Sequence, residues 1–264
     1  MMEKHNGRLK IALIQSTLHW EDPYANREMF CTKIDQIDEV VDLIILPEMF
    51  TTGFTMSPDN LEKKEGDTAL DWMKKMAANN NSAIVGSMVF YDNGNNYNRL
   101  FFVKPNGEYE TYDKRHTFTL AGEHEKYMAG TERLVIEYKG FAICPLVCYD
   151  LRFPVWSRNS ENFDVLLYVA NWPAPRINAW DALLKARAIE NMVYCVGVNR
   201  LGEDKVGHQY PGHSSVYDPL GELISISEQE ETIIVELVKD EIDQVRNKLR
   251  FLNDRDEFAI TPLI

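Results

Sequence analysis

The sequence predicts an α/β fold in which helices cover sheets, and two observations predict it. Apolar runs of strand length alternate with segments of helical periodicity along almost all of the 264 residues, which is how sheets packed under helices are written. Two Asn-Gly pairs, Asn93-Gly94 and Asn106-Gly107, bracket the apolar run Tyr97 to Lys104. They mark antiparallel hairpins, because these residues supply the positive φ angles of tight turns. The composition, 45% hydrophobic and 26% charged, is that of a folded globule. A chain of this length buries close to about 75% of its unfolded surface, so its stability requires neither disulfides nor a metal. No low-complexity linker or composition break divides it, and residues 1–264 are read as one domain.

Lys10 to Ser16 reads as a first buried strand. Tyr24 to Val40 follows as a helix, with Met29, Ile34, Ile37 and Val40 at helical spacing behind the start signal Glu21-Asp22-Pro23. Val41 to Leu46 is a second strand that ends at Pro47-Glu48. Asp67 to Asn79 is a second helix offering Leu70, Trp72, Met73 and Met76 for burial, and the asparagines at 79–81 stop it. Ala83 to Tyr91, Phe141 to Val147, Val165 to Ala170 and Val193 to Val198 are further strands, with a helix from Trp180 to Asn191 before the last. Ser214 to Ile226 is a hairpin turning at Asp218-Pro219-Leu220-Gly221, and Thr232 to Val238 is a last strand before the helical Lys239 to Leu249.

The net charge, 28 basic against 41 acidic residues or −13, repels phosphate backbones, and no basic patch argues for a nucleic-acid partner. No run of 18 apolar residues exists to cross a membrane. The N-terminal stretch reads as no secretory signal. Four scattered cysteines, at positions 31, 144, 148 and 195, make no disulfide framework, so the expected compartment is the reducing cytoplasm.

Three positions can carry chemistry. Cys148 stands where the buried strand Phe141 to Val147 runs into the polar turn Tyr149-Asp150-Leu151-Arg152-Phe153-Pro154. A thiol there faces a pocket while the strand holds it, and the next amide is free to donate to an oxyanion. Taken alone, a cysteine is more often a small buried hydrophobe. Cys144 is read that way, since four residues at about 3.3 Å each put the pair beyond disulfide reach. Glu48 ends the apolar strand Val41 to Leu46, where desolvation suits a carboxylate to general-base work, although such a group also caps a helix or joins a surface ion pair. Lys114, in Tyr112-Asp113-Lys114-Arg115-His116, would stabilise an oxyanion and lower the thiol pKa, against the common role of a solvated surface charge.

A Cys/His pairing would need His116, His124 or His213 to arrive by folding, since none of the six histidines (5, 19, 116, 124, 208, 213) sits at an apolar strand end. His208 and His213 lie five apart in a Gly/Pro-rich turn with no further ligand at metal spacing. Neither a G-x-G-x-x-G nor a P-loop signature is present.

Together, Leu46-Pro47-Glu48, Asp113-Lys114-Arg115-His116 and Val147-Cys148-Tyr149-Asp150-Leu151-Arg152-Phe153-Pro154 resemble the carbon–nitrogen hydrolase (nitrilase) superfamily. Ala170-Asn171-Trp172-Pro173, Ala186-Arg187-Ala188-Ile189-Glu190-Asn191 and Gly212-His213-Ser214-Ser215 support it. The resemblance implies a four-layer α-β-β-α sandwich, usually paired into a homodimer or higher homo-oligomer, and a triad of Glu48 as base, Lys114 as oxyanion donor and Cys148 as nucleophile. In that reading the Tyr149 backbone N–H would be the second oxyanion donor. It also implies a second glutamate, matched by Glu123 with Glu125 as competitor. Ala129-Gly130 replaces the usual Pro-Gly, and Val155 stands where many members carry a glutamate. No cofactor or metal is implied, because a thioester already reacts with water.

The run after Cys148, with Asn171-Trp172-Pro173-Ala174-Pro175-Arg176, is similar to the omega-amidase branch, which releases ammonia from 2-oxo dicarboxylic monoamides such as 2-oxoglutaramate. A nitrile or N-carbamoyl hydrolase would share the triad, and a non-catalytic binding protein would share the fold. A substrate carboxylate inside so acidic a protein needs a local cation. Arg152 and Arg176 are the candidates, Arg152 with the alternative of bracing the nucleophile turn, and Trp172, Phe118 and Tyr127 are candidate lining residues. Arg187 and Glu190 read as a packing or interface pair.

Overall fold

The structure is a computed structural model that describes residues 7–260. His5 and the terminal residues of the sequence reading lie outside that range. The elements in chain order are β1 (Arg8–Gln15), α1 (Pro23–Asp35), β2 (Leu43–Ile45), α2 (Glu65–Asn80), β3 (Ala83–Asp92), β4 (Asn95–Val103) and β5 (Tyr109–Asp113). Then come β6 (Ile136–Tyr138), β7 (Phe141–Val147), β8 (Val165–Ala170), α3 (Ile177–Asn191), β9 (Tyr194–Asn199), β10 (Leu201–Glu203) and β11 (Gln209–Pro211). The chain closes with β12 (Ser214–Tyr217), β13 (Leu223–Ser227), β14 (Glu231–Val238) and α4 (Lys239–Leu249).

Two six-stranded sheets, ordered β14-β1-β2-β3-β4-β5 and β13-β12-β9-β8-β7-β6, face each other. Their central strands are apolar on both sides because both sides are covered. Along β1, Leu9, Ile11 and Leu13 enter the core between the sheets, while Ala12 and Ile14 meet Phe30 and Ile34 of α1 and Met73 and Ala77 of α2. On the second sheet Trp180, Leu184 and Ala188 of α3 close the opposite outer face. The layers therefore run helix, sheet, sheet, helix, as expected.

Local chemistry explains the element ends. Asp22 caps α1, accepting from the Ala25 amide at 3.0 Å, with Pro23 as the first helical residue. The expected helix to Val40 stops at Asp35 instead. Asp42 anchors the chain on β1, its amide donating to Lys10 O at 2.7 Å and its carboxylate accepting from Lys10 N at 2.9 Å, and Val40 is left exposed. Asn93 and Gly94 take φ of 47° and 88° in the β3–β4 turn, the pair of left-handed residues that a two-residue hairpin requires. The short strands β6, β10 and β11, each three residues long, carry too little periodicity to be seen in sequence.

The parallel strands β1, β2 and β3 in one sheet and β7, β8 and β9 in the other send their carboxyl ends to one side of the sandwich. Open α/β sheets place their ligand crevices at such ends.

Candidate active site

Glu48 follows β2, Lys114 follows β5, Cys148 follows β7 and Asn171 follows β8. The fold brings the side chains of Glu48, Lys114 and Glu123 into one buried cluster beside Cys148. Lys114 Nζ donates to Glu48 Oε1 at 2.9 Å and to Glu123 Oε2 and Oε1 at 2.8 and 3.0 Å. Both carboxylates are wholly buried, and Lys114 is 1% exposed. Glu125, the competitor, is exposed, so Glu123 is the residue that meets the lysine. Burial works to lower the Lys114 pKa, but the charges of Glu123 and then Glu48 outweigh it and the net shift is upward, so the ammonium is kept charged. Burial raises the Glu123 carboxyl, opposed by Lys114 and reinforced by Glu48.

The Cys148 thiol departs from the sequence expectation. Lys114 does act to lower its pKa, but burial, followed by the charge of Glu48, wins and pushes it well above the ordinary thiol value. The resting group is therefore a thiol, and a base has to remove its proton for it to become a nucleophile. Cys148 takes φ +45° at the start of a short 3₁₀ turn, Cys148–Arg152. A side chain in the left-handed region is held there by its surroundings. Here Asp150 does the holding: its Oδ2 accepts from Val147 N at 3.1 Å and from the Tyr112 hydroxyl at 2.7 Å. The Tyr149 amide, second in that turn, has no acceptor within it.

His116 does not serve the thiol. Its backbone N–H donates to Asp150 Oδ1 at 2.9 Å, Nδ1 faces the same oxygen at 2.8 Å, and its ring stacks on Phe153 at 3.6 Å. His124 is exposed, and His213 pairs with Asp181 at 3.0 Å. None of the three lines the cleft that ends on Cys148.

That cleft encloses about 510 Å³ of empty space, its mouth included, and is lined by Arg152, Arg176, Trp172 and Phe118. Tyr127 is a correction. It packs with Met49 and Val89 behind the site, its hydroxyl donating to Thr55 O at 2.8 Å, so its polar end is engaged away from the cleft. The bracing role weighed for Arg152 falls to Arg187, which donates to Leu151 O at 2.6 Å and pairs with Glu190 at 2.8 Å. Arg152 instead lies over the Trp172 ring at 4.8 Å and Arg176 over Phe118 at 5.2 Å. Neither guanidinium meets a carboxylate among the described residues, in contrast to the paired Arg99 and Arg187.

Sequence reasoning missed Phe54, His208 and Tyr210, which also line the cleft, and Asn98, which lies in the cluster. His208 and Tyr210 belong to the β10–β11 hairpin, whose Gly/Pro-rich sequence reads only as a turn. Asp204 organises it, accepting from His208 N at 2.9 Å and from the Tyr210 hydroxyl at 2.8 Å. In sequence Asn171 is legible only as part of the motif Ala170-Asn171-Trp172-Pro173. Its N–H donates to Glu48 Oε2 at 2.8 Å and its side-chain amide to Glu48 O at 2.7 Å.

Gly130 fixes the loop that carries Glu123 to the end of β5. Its amide donates to Lys114 O at 2.9 Å, and a Cβ built there would fall 2.1 Å from the backbone oxygen of Asp113. Gly130→Ala is expected to cost about 1–3 kcal/mol of stability through overpacking against backbone and to lower kcat by displacing Glu123 from Lys114. Melting curves alongside initial rates check both effects.

A family model for carbon–nitrogen hydrolases matches residues 10–247. The chain is 43% identical over 254 residues to an omega-amidase of Yersinia enterocolitica, covering 96% of this chain and 98% of that one. It is 32% identical to a 2-oxoglutaramate amidase of Bacillus subtilis, covering 92% and 96%. Among solved structures, a carbon–nitrogen hydrolase superfamily protein of Xanthomonas campestris, described with an arsenic adduct in its active site, superposes with a TM-score of 0.93 at 39% identity, covering 96% of this chain and 99% of that one. The chain belongs to the carbon–nitrogen hydrolase family and stands in sequence with its omega-amidase members.

Proposed function

We propose that the protein is an omega-amidase: it releases ammonia from the terminal amide of a small 2-oxo dicarboxylic acid monoamide of the 2-oxoglutaramate type, with Cys148 as nucleophile, Glu48 as base, and Lys114 and the Tyr149 N–H as oxyanion donors. Glu48 takes the thiol proton and the sulfur attacks the amide carbon. The C–O double bond opens to an oxyanion that the two donors stabilise. As the oxyanion collapses, the C–N bond breaks, Glu48 returns the proton to the departing nitrogen, and a thioester remains on Cys148. A water molecule then gives a proton to Glu48 and attacks the thioester carbon, which frees the acid and restores the thiol. Glu123 holds Lys114 in place and offsets its charge.

The observation that carries the substrate class is the pair of guanidiniums, Arg152 and Arg176, facing the cleft without carboxylate partners among the described residues, in a protein of net charge −13. An unpaired cation over an aromatic face, in a field that is otherwise negative, is suited to an anionic ligand group. Arg176→Ala is expected to raise KM for 2-oxoglutaramate about 10- to 100-fold, the loss of one charge-assisted contact, and to leave KM for a neutral aliphatic amide within about twofold. Equal effects on the two amides would remove the carboxylate anchor from the proposal. Glutamine and a simple nitrile in the same ammonia-release panel separate this reading from a glutaminase or nitrile hydrolase.

We further place the chain in the cytoplasm, a reading supported by four free cysteines, and no helix among the described residues is long and apolar enough to cross a membrane. One catalytic unit spans residues 1–264 in this reading. Self-association into a homodimer or larger assembly is supported by the exposed apolar side chains Leu220, Leu223, Ile224 and Ile226 at the β13 edge of the second sheet, and by the exposed Ile189 of α3 against the Gly221 turn.

A further inference from the structure

We infer that Asn98, on β4, selects the oxygen of Glu48 that receives the thiol proton, and so acts as the positioning residue of the base. The inference rests on the assignment of Glu48 and Cys148 as base and nucleophile made above. The side chain of Asn98 is 1% exposed, and its Nδ2 donates to Glu48 Oε1 at 2.8 Å and to Glu123 Oε1 at 3.2 Å. Both neighbours are acceptors, so the amide can sit only with its NH₂ group between them. Its own oxygen pays for that orientation, being buried with no hydrogen-bond partner among the described residues. The backbone carbonyl of Asn98 accepts from Lys114 N at 3.0 Å. One residue thus registers both carboxylates and the lysine against each other.

The consequence lies in how the two oxygens of Glu48 are filled. A carboxylate oxygen offers about two lone-pair sites. Oε1 receives Asn98 Nδ2 at 2.8 Å and Lys114 Nζ at 2.9 Å and is saturated. Oε2 receives one short bond, from Asn171 N at 2.8 Å, and only a long contact at 3.4 Å from Asn171 Nδ2. Asn171 also ties Oε2 to the nucleophile, because its carbonyl oxygen lies 3.9 Å from Cys148 Sγ. The open position on Glu48 is therefore on Oε2, the oxygen that accepts from the residue whose carbonyl also meets the thiol. The S–H bond breaks and an Oε2–H bond forms, while the donors on Oε1 stay in place. The same Oε2–H is then positioned to protonate nitrogen as the C–N bond breaks. Without Asn98 the proton is free to settle on Oε1, where it cannot be returned to the leaving group.

Three charged or titratable groups from separate elements face Glu48: Lys114 after β5, Glu123 in the loop before β6, and Cys148 after β7. The acid limb of the pH profile belongs to this coupled set rather than to one residue. Asn98 also donates to Glu123, whose carboxyl burial already raises, and removing that donor favours the protonated form of the cluster, so the limb has to move to higher pH.

The test is the pH dependence of kcat/KM for Asn98→Ala and Asn98→Ser, taken on whichever amide the wild-type protein turns over fastest, so that a failed preference for carboxylate-bearing amides leaves it intact. The expected result is an acid limb about one pH unit higher, the scale set by a hydrogen bond to a charged group, with kcat lowered about 10- to 100-fold by analogy with general acid–base losses and KM within about twofold. Should the alanine variant fail to fold, the serine variant gives the same readout. An acid limb unmoved in the folded variants, beside an inactive Glu48→Gln, overturns the role of Asn98 alone. A Glu48→Gln variant that keeps the wild-type rate overturns the base assignment and the proposal with it.

Discussion

Cys148→Ala is expected to lower ammonia release by at least about 10⁴-fold, because no other group in the cleft can form the acyl intermediate and losing a nucleophile removes covalent catalysis outright. The other cysteines cannot substitute. Cys144 and Cys195 are wholly buried in the core, where burial pushes the Cys144 thiol up to about 12, and Cys31 is on α1 in the other sheet's helix layer, beside Asp35. The fold should be retained, since alanine fits the space of the smaller half of the side chain and Asp150, not the sulfur, holds the turn. Two measurements check this. Circular dichroism and melting should match the wild type, and intact-mass spectra during turnover should show an acyl adduct on the wild-type chain and none on the variant. Turnover within tenfold of wild type by the alanine variant would move the nucleophile elsewhere.

Lys114→Met should damage both stability and activity, and the two losses should be separable. Among the described residues its ammonium is the one cation within 4 Å of Glu48 and Glu123, and all three side chains are buried. Removing it leaves two uncompensated buried carboxylates, a change that costs about 3–5 kcal/mol when one partner of a buried ion pair is lost, or on the order of 10 °C in melting temperature for a domain of this size. Loss of an oxyanion donor lowers kcat by about 10²–10³. Adding Glu123→Gln removes one of the stranded charges. The double variant should therefore regain melting temperature while remaining inactive, and a regain of activity would show that the lysine acts only as a structural counter-ion.

The pH sign follows from the direction of the lysine's shift. Its folded pKa lies above the ordinary lysine value of 10.5, so the stability it contributes is fully present below that value and is lost only as pH rises beyond it. Across neutral pH the cluster should neither gain nor lose stability from Lys114.

How much of this was legible beforehand depended on whether the cause lay within a few residues. The caps and turns were readable because Asp22-Pro23 and Asn93-Gly94 act on their own backbone. The helix running to Val40 was misread because Ile37 and Val40 continue the helical spacing, whereas the end at Asp35 is set by the docking of Asp42 on Lys10, a contact across 32 residues. Tyr127 was misplaced for a related reason: an aromatic next to a catalytic segment has two sides on which to pack, and its hydroxyl found Thr55 O behind the site.

The sequence alone determined which side chains stand at strand ends: Glu48 after an apolar run closed by Pro47, and Cys148 where a buried strand meets a polar turn. Position along a strand is a local property, and period and punctuation report it. Only the tertiary structure decided which groups surround them. Asn98 and Glu48 are 50 residues apart, Lys114 and Glu48 66, and Asn171 and Glu48 123, and the thiol's upward shift comes from burial between two packed sheets. Hydrogen bonds and desolvation depend on neighbours in space, and no window of the chain contains them.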